Sequence, residues 1–367
     1  MNTKKGSFAL SLILLLAVAL STPAVAQKGG KPGKVSHTAR QIRPIQLGTS
    51  GGNALDIANG YCCSGTLGAL VQKPDLTQYI LSNTHVLAGD SVSGGNGRTS
   101  TIGDPIIQPG LVDVSCQTVP NDYVGYLSDW AKLNSGSGSV VDAAIAQVIP
   151  SMVRSDGAIL EIGTINTAIL TAAPGLNVKK SGRTTGLTRS SIDSVNATVT
   201  VQYYDECAGS TFTTTFTEQI IITNRGSKFL NSGDSGSLMV EDIAINPRAV
   251  GLLFAGGKNV AVANPIDEVL GHFGAKMVGV SGTTSTTTPG DLQLQRDVAH
   301  AKRVQQLNAY LLSKVPKGVG HAVGLSGQEV VIKVLVEELT AEALDAVPPA
   351  LDGFRVVIEE VGKIVAY

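Results

Sequence analysis

Beyond Ala26 the sequence has no apolar stretch long enough to cross a membrane, because a spanning helix needs about 20 consecutive apolar residues. It also lacks an excess of either charge. Twenty-eight Lys and Arg face 29 Asp and Glu, a formal net charge of -1. That balance removes the basic footprint expected of a nucleic-acid binder. Cysteine is scarce, with four in the chain, and no CxxC or HExxH spacing occurs. A zinc site therefore has no support, and neither a metal nor another cofactor is expected. No internal repeat at solenoid spacing is present.

What is there begins with an export signal. Lys4 and Lys5 precede a short apolar run, Phe8 to Leu20, and Ala24-Val25-Ala26 supplies small residues for a signal peptidase. This order predicts a signal peptide over 1–26 and a mature chain starting near Gln27. The expected location is secreted or periplasmic, with no membrane contact after signal removal. In an oxidising compartment Cys62, Cys63, Cys116 and Cys207 are candidates for one or two disulfides, and three full pairings are open. Residues 27–41 are polar, and the Lys and Arg residues from Lys28 to Arg43 predict a flexible, solvated tail.

From 42 to 280 short runs rich in Val, Ile and Thr alternate with glycine-bearing turns, as in "YILSNTHVLA", "NATVTVQYY" and "AVGLLFAG". Such spacing predicts an all-β sandwich or barrel. "SGTTSTTTPGD" from Ser281 predicts a linker over 281–290. After it, Leu294, Val298, Ala301, Val304, Leu307 and Leu311 recur at helical steps, predicting an amphipathic helix from Asp291 to Leu312. A strand over Val330–Val336, a short helix capped by Thr340, and a closing hairpin of 354–358 and 364–367 complete a small α/β module over 291–367.

"GDSGS", Gly233 to Ser237, places a serine between residues that let the backbone turn sharply. A serine hydroxyl needs a base to become a nucleophile. The N–H groups of Gly233 and Ser235 are the candidate oxyanion donors. Of the five histidines, His85 follows the apolar strand "YILSN" at a point where its ring can face a cleft. Asp142, flanked by apolar residues in "SVVDAAIAQV", is the candidate orienting acid, and Asp129 is the fallback. The order His, Asp, Ser is the one the chymotrypsin triad uses; subtilisin and the α/β-hydrolases use others.

With "CSGTLGALV", "LSNTHVLA", "VDAAIA", "SGRTTGLT", "GDSGSLMV" and "VGLLFAG" in one order, the stretch from about Arg43 to Gly279 resembles the trypsin/chymotrypsin-like peptidase superfamily. It is closest to a bacterial exported group. The resemblance implies a chymotrypsin-like double β-barrel (about 42–155 and 156–280) and a catalytic triad of His85, Asp142 and Ser235. It further implies a polypeptide substrate cleaved through an acyl-enzyme. Three departures stand out. Val86 follows His85 in place of the frequent cysteine, Ser237 replaces a usual glycine, and no apolar start is available for zymogen-type activation. "SGRTTG" is similar to the bacterial branch in which an internal arginine serves instead, so Arg183 is expected to pair with Asp234. Phe229 stands where trypsin-like enzymes carry Asp, and Phe254 is expected in the pocket wall. Together they suggest a small or medium apolar residue before the scissile bond. The alternatives are a catalytically inactive binding or scaffold protein on the same fold, and an esterase using the same triad. Oligomeric state is left open.

Overall fold

The computed structural model describes residues 35–58, 61–89, 99–133, 138–204, 207, 210–282 and 289–367. The expected signal peptide and most of the expected linker lie outside the described residues. Residues 36–367 form one compact unit. No helix among the described residues is long and apolar enough to cross a membrane.

The first sheet is built from β1 (Thr49–Asn53), β2 (Gly65–Leu67), β3 (Ala69–Gln72), β4 (Gln78–Ser82), β5 (Pro105–Ile107), β6 (Tyr123–Trp130) and β7 (Ala144–Val148). Its order is β3-β4-β7-β6-β5-β1-β2, with Lys276–Met277 added beside β3. Because Gly68 alone separates β2 from β3, the two ends of this path are one continuous run of chain. The sheet therefore closes on itself as a barrel. A side chain at Gly68 would strike the Gly236 carbonyl, so the backbone beside Ser235 can approach only at a glycine.

The second sheet holds β8 (Asn177–Gly182), β9 (Gly186–Tyr203), β10 (Phe212–Thr223), β11 (Leu238–Glu241), β12 (Ala249–Gly256) and β13 (Val260–Pro265). They run β9-β8-β11-β12-β13-β10, and β10 pairs back to β9, closing a second barrel. The sequence pattern follows burial. β12 is buried along its whole length and reads as an unbroken apolar run. β10 begins Phe-Thr-Thr-Thr-Phe-Thr, with buried Thr214 and Phe216 alternating with more exposed neighbours, and ends in Ile220-Ile221-Ile222 where it enters the barrel wall. Alternation marks one solvated face, and continuity marks two covered faces.

The C-terminal region continues the second sheet. Strand β14 (Gly318–Ser326) pairs antiparallel with β9, followed by β15 (Glu329–Val336) and β16 (Phe354–Glu360). Lys333 on β15 lies 2.8 Å from both Asp193 on β9 and Glu359 on β16. The long helix spans Pro289–Leu307 and packs over β14 and β15. Val298, Ala301 and Val304 are buried, whereas Leu307 and Leu311, expected on the same face, are 82% and 46% exposed. The helix stops before Asn308, and a separate turn of helix begins at Ala309, so the apolar stripe loses its phase there. Thr340 caps the helix Ala341–Ala346 as expected, its hydroxyl accepting from Ala343 N at 3.1 Å.

Two expectations are corrected. The closing hairpin does not form. β16 pairs in parallel with β15, and after Gly362 (φ +69°) the chain departs to place β17 (Val365–Ala366) on β12 and β9. Residues 36–41 are not a loose tail. His37 is buried with Nδ1 2.8 Å from Gly48 O, and Arg40 binds both Asp122 oxygens at 2.6 and 2.8 Å.

Candidate active site

Strand β4 is buried and delivers Asn83 and a single helical turn, Thr84–Leu87, that carries His85. Thr84 Oγ1 ties this turn to Ala131 O and Ala143 O at 2.8 and 2.9 Å. Asp142 lies just before β7 and is fully buried. Its main chain is held on both sides. Asp142 N donates to Asn264 Oδ1 (3.0 Å), while Asn83 Nδ2 and Asn264 Nδ2 donate to Asp142 O (2.7 and 3.1 Å). The Asp142 carboxylate accepts from His85 Nδ1 at 2.6 Å, from Tyr203 OH at 2.8 Å and from His85 N at 3.3 Å. A buried carboxylate without such donors would be costly. Asp129, the fallback, stands on β6 and accepts from Trp130 N, so Asp142 is the acid that meets His85. Burial is the strongest single influence on the His85 ring and disfavours its charge. Asp142, the Tyr367 main-chain oxygen and the charge of Asp56 together outweigh it and raise the pKa.

Ser235 is fully buried. Its hydroxyl donates to Phe254 O at 3.0 Å, and no bond joins it to His85 among the described residues. The loop around it is clamped by Thr66 from the first barrel. Thr66 N donates to Ser235 O (2.8 Å) and Thr66 Oγ1 to Gly233 O (3.0 Å). Gly233 has φ +89°, and a Cβ there would lie 2.6 Å from Thr184 Oγ1. The Thr184 hydroxyl holds Ser232 O at 2.6 Å. In a trans peptide the C=O and N–H point opposite ways, so anchoring Ser232 O aims the Gly233 N–H away from Thr184.

The expected pair of Arg183 with Asp234 is corrected. Arg183 Nε and Nη2 bind Asp113 at 2.8 and 2.7 Å, linking the second barrel to the first. The cation at Asp234 is Lys180, fully buried, with Nζ 3.2 Å from Asp234 Oδ2. Asp234 also accepts from Thr184 N (2.9 Å), Thr185 N (3.1 Å), Thr185 Oγ1 (2.7 Å) and Asn231 N (3.0 Å). The reason is directional. Lys180 sits within β8 and points into the barrel beside Asp234, whereas Arg183 lies in the turn after β8 and swings outward. Burial lowers the Lys180 pKa, against the opposing pull of Asp234.

Phe229 is buried in the core cluster that includes Leu230, Ile222 and Ala263. Phe254 is placed differently from expectation. Its ring packs in another cluster, 4.9 Å from the Phe216 ring, and only its carbonyl reaches the cleft. A strand residue beside the cleft sends its side chain to one face, and here that face is the core. The cleft itself holds the end of β17. Tyr367 N donates to Phe254 O at 3.3 Å, and the Tyr367 main-chain oxygen lies 3.1 Å from His85 Nε2.

The cysteines pair as Cys62–Cys116 and Cys63–Cys207. Several supporting residues had no local signal in the sequence. Tyr203 ends an 18-residue strand far from Asp142, Thr66 and Asn264 are ordinary strand residues, and Lys180 adjoins a second buried lysine.

Two closed barrels with His85, Asp142 and Ser235 contributed in that order define the chymotrypsin-like class of fold. The Nal1 C-terminal domain family matches residues 140–264, and no curated protein matches the sequence. Among solved structures, a glutamic acid specific serine protease is 17% identical, covering 64% of this chain and 100% of its own, with a TM-score of 0.42. Protease A of Thermobifida fusca is 20% identical, covering 64% and 99%, with a TM-score of 0.41. Cellulomonas bogoriensis chymotrypsin is 17% identical, covering 64% and 99%, with a TM-score of 0.37.

Proposed function

We propose that the protein is an exported serine endopeptidase, secreted or periplasmic after loss of residues 1–26, that hydrolyses peptide bonds through an acyl-enzyme. One observation carries this reading. Ser235 Oγ and Tyr367 N both donate to Phe254 O, and His85 Nε2 meets the Tyr367 oxygen, while Asp142 holds the far side of the imidazole at 2.6 Å.

In the reaction the Ser235 hydroxyl leaves Phe254 O and attacks the substrate carbonyl carbon. Its proton passes to His85 Nε2, and Asp142 stabilises the imidazolium without taking the proton. The N–H groups of Gly233 and Ser235 receive the developing oxyanion. His85 then protonates the leaving amine. Water, deprotonated by the same ring, releases the acyl group from Ser235. Tyr203 OH, bonded to the Asp142 oxygen that faces His85, fixes the acid in place.

The test is covalent labelling with a fluorophosphonate together with hydrolysis of an unbiased peptide library. The purified mature protein is expected to label once. Ser235→Ala should not label and should lose turnover roughly 10⁴-fold or more, with an unchanged circular dichroism spectrum. Full turnover in Ser235→Ala would overturn the assignment. Labelling accompanied by ester but not peptide cleavage would convert it to an esterase.

A further inference from the structure

The last residues of the sequence lie in the cleft as an added strand. Val365 pairs with Gly256 and Ala366 with Ala255, antiparallel, on β12. Val365 also pairs in parallel with Gln202 on β9, whose N–H donates to Ile364 O at 2.9 Å. The segment is thus hydrogen-bonded from both sides. It is anchored behind by Val361 and Ile364, which are buried in the cluster containing Tyr203, Phe216 and Phe254. Adding an extended peptide to an open strand edge supplies main-chain affinity, and the pockets beneath its side chains supply selectivity.

The decisive contacts come at Tyr367. Its main-chain oxygen is 3.1 Å from His85 Nε2, and its N–H meets the carbonyl that also accepts the Ser235 hydroxyl. The Tyr367 main chain therefore lies against His85 and shares the Phe254 carbonyl with Ser235. Its ring lies over Gly256 so closely that a Cβ there would be 2.6 Å from Tyr367 Cε2 and 3.1 Å from the hydroxyl. Behind it the half-buried ring packs against the apolar cluster that includes Phe229. A glycine wall and an uncharged floor make a slot for a flat aromatic side chain.

We infer that the cleft selects an aromatic residue, tyrosine above all, on the acyl side of the scissile bond, and that the chain's own Val365-Ala366-Tyr367 fills this place and holds the enzyme in check. This replaces the small or medium apolar residue suggested by the sequence, and it rests on the roles proposed for Ser235 and His85. A tethered segment meets its site at an effective concentration of about 1 mM, so even an isolated affinity of about 0.1 mM leaves the cleft occupied roughly ten to one.

The experiment compares fluorophosphonate labelling rates of the mature chain and of Tyr367→Ala, with and without the peptide acetyl-Ile-Val-Ala-Tyr. Labelling should rise roughly tenfold in Tyr367→Ala, and the added peptide should return it to the original rate. The same peptide ending in Ala or Lys should be far weaker. Equal labelling of the two chains would overturn the self-occupancy. Equal competition by the Tyr, Ala and Lys peptides would overturn the aromatic slot. If neither chain labels, the nucleophile assignment has failed, and the inference is judged by binding instead. A fluorescent Ile-Val-Ala-Tyr peptide should then bind saturably to Tyr367→Ala and not to the mature chain, and no binding to Tyr367→Ala would overturn it.

Discussion

Replacing Lys180 by Met removes a buried charge at nearly constant volume. The Asp234 carboxylate is left with four donors, from Asn231, Thr184 and Thr185, but no counter-charge. Breaking a buried pair from one side costs roughly 3–5 kcal/mol. The surviving hydrogen bonds place Lys180→Met at the lower end, about 3 kcal/mol. Because Asp234 precedes Ser235, the loop that presents the Gly233 and Ser235 N–H groups should loosen, and fluorophosphonate labelling should slow in parallel. Arg183→Met is the control. Its partner Asp113 is partly exposed, with side-chain exposures of 16% and 12% across the pair, so it should cost about 1–2 kcal/mol. Urea unfolding measures both. Adding Asp234→Asn to Lys180→Met should recover much of the loss by removing the orphan charge. The reasoning fails if Lys180→Met unfolds like the parent, or if Arg183→Met proves the more damaging change.

Two further outcomes concern pH. kcat/KM should rise with pH through one titration above the ordinary histidine value of about 6.5, because Asp142, Asp56 and the Tyr367 oxygen favour the protonated, inactive His85 ring. Tyr367→Ala keeps a main-chain oxygen but, by freeing the segment from the cleft, should draw that oxygen away from His85 and lower the midpoint, whereas an unchanged midpoint would contradict the docking of Tyr367. His321, with Nδ1 2.7 Å from Gln305 Nε2 under the long helix, is pushed by burial down to about 4. A depressed native pKa gives stability that is whole above the unfolded value and lost as pH falls through the native one. About 3 kcal/mol should therefore disappear between pH 6.5 and 4. His321→Gln should flatten that part of the stability–pH curve, as followed by urea unfolding at each pH.

What could be read from the sequence was local. Gly-Asp-Ser-Gly dictates a sharp turn, an apolar strand ahead of His85 dictates its place at a strand end, and apolar flanks dictate burial of Asp142. The repeated strand-and-turn texture indicated an all-β sandwich or barrel, and only the resemblance carried by the ordered motifs implied two barrels. What stayed hidden depended on direction or distance. Lys180 and Arg183 are three residues apart and both cationic, and only their places, one within β8 and the other in the turn after it, decide which one meets Asp234. Phe254 lies on the strand expected beside the cleft, yet a one-residue phase decides whether its ring or its carbonyl faces it. Tyr203 and Tyr367 reach the His85 neighbourhood from far along the chain. The apolar residues of 364–367 pointed to a strand, but the partner expected for it, 354–358, is not the one it pairs with.

The two disulfides give the chain a covalent topology of its own. Cys62 and Cys63 are neighbours, yet one is bonded to Cys116 and the other to Cys207. The second bond closes a ring spanning 144 residues. His85 and Asp142 lie on that ring, while Ser235, Lys180's partner Asp234 and the whole C-terminal region hang from it as a tail. Closing a ring of this size removes about 5 kcal/mol of chain entropy from the unfolded state in the chain-entropy picture. An oxidised chain that unfolds therefore keeps His85 and Asp142 on one tethered loop, and refolding has to bring Ser235 back as the free end of a lariat.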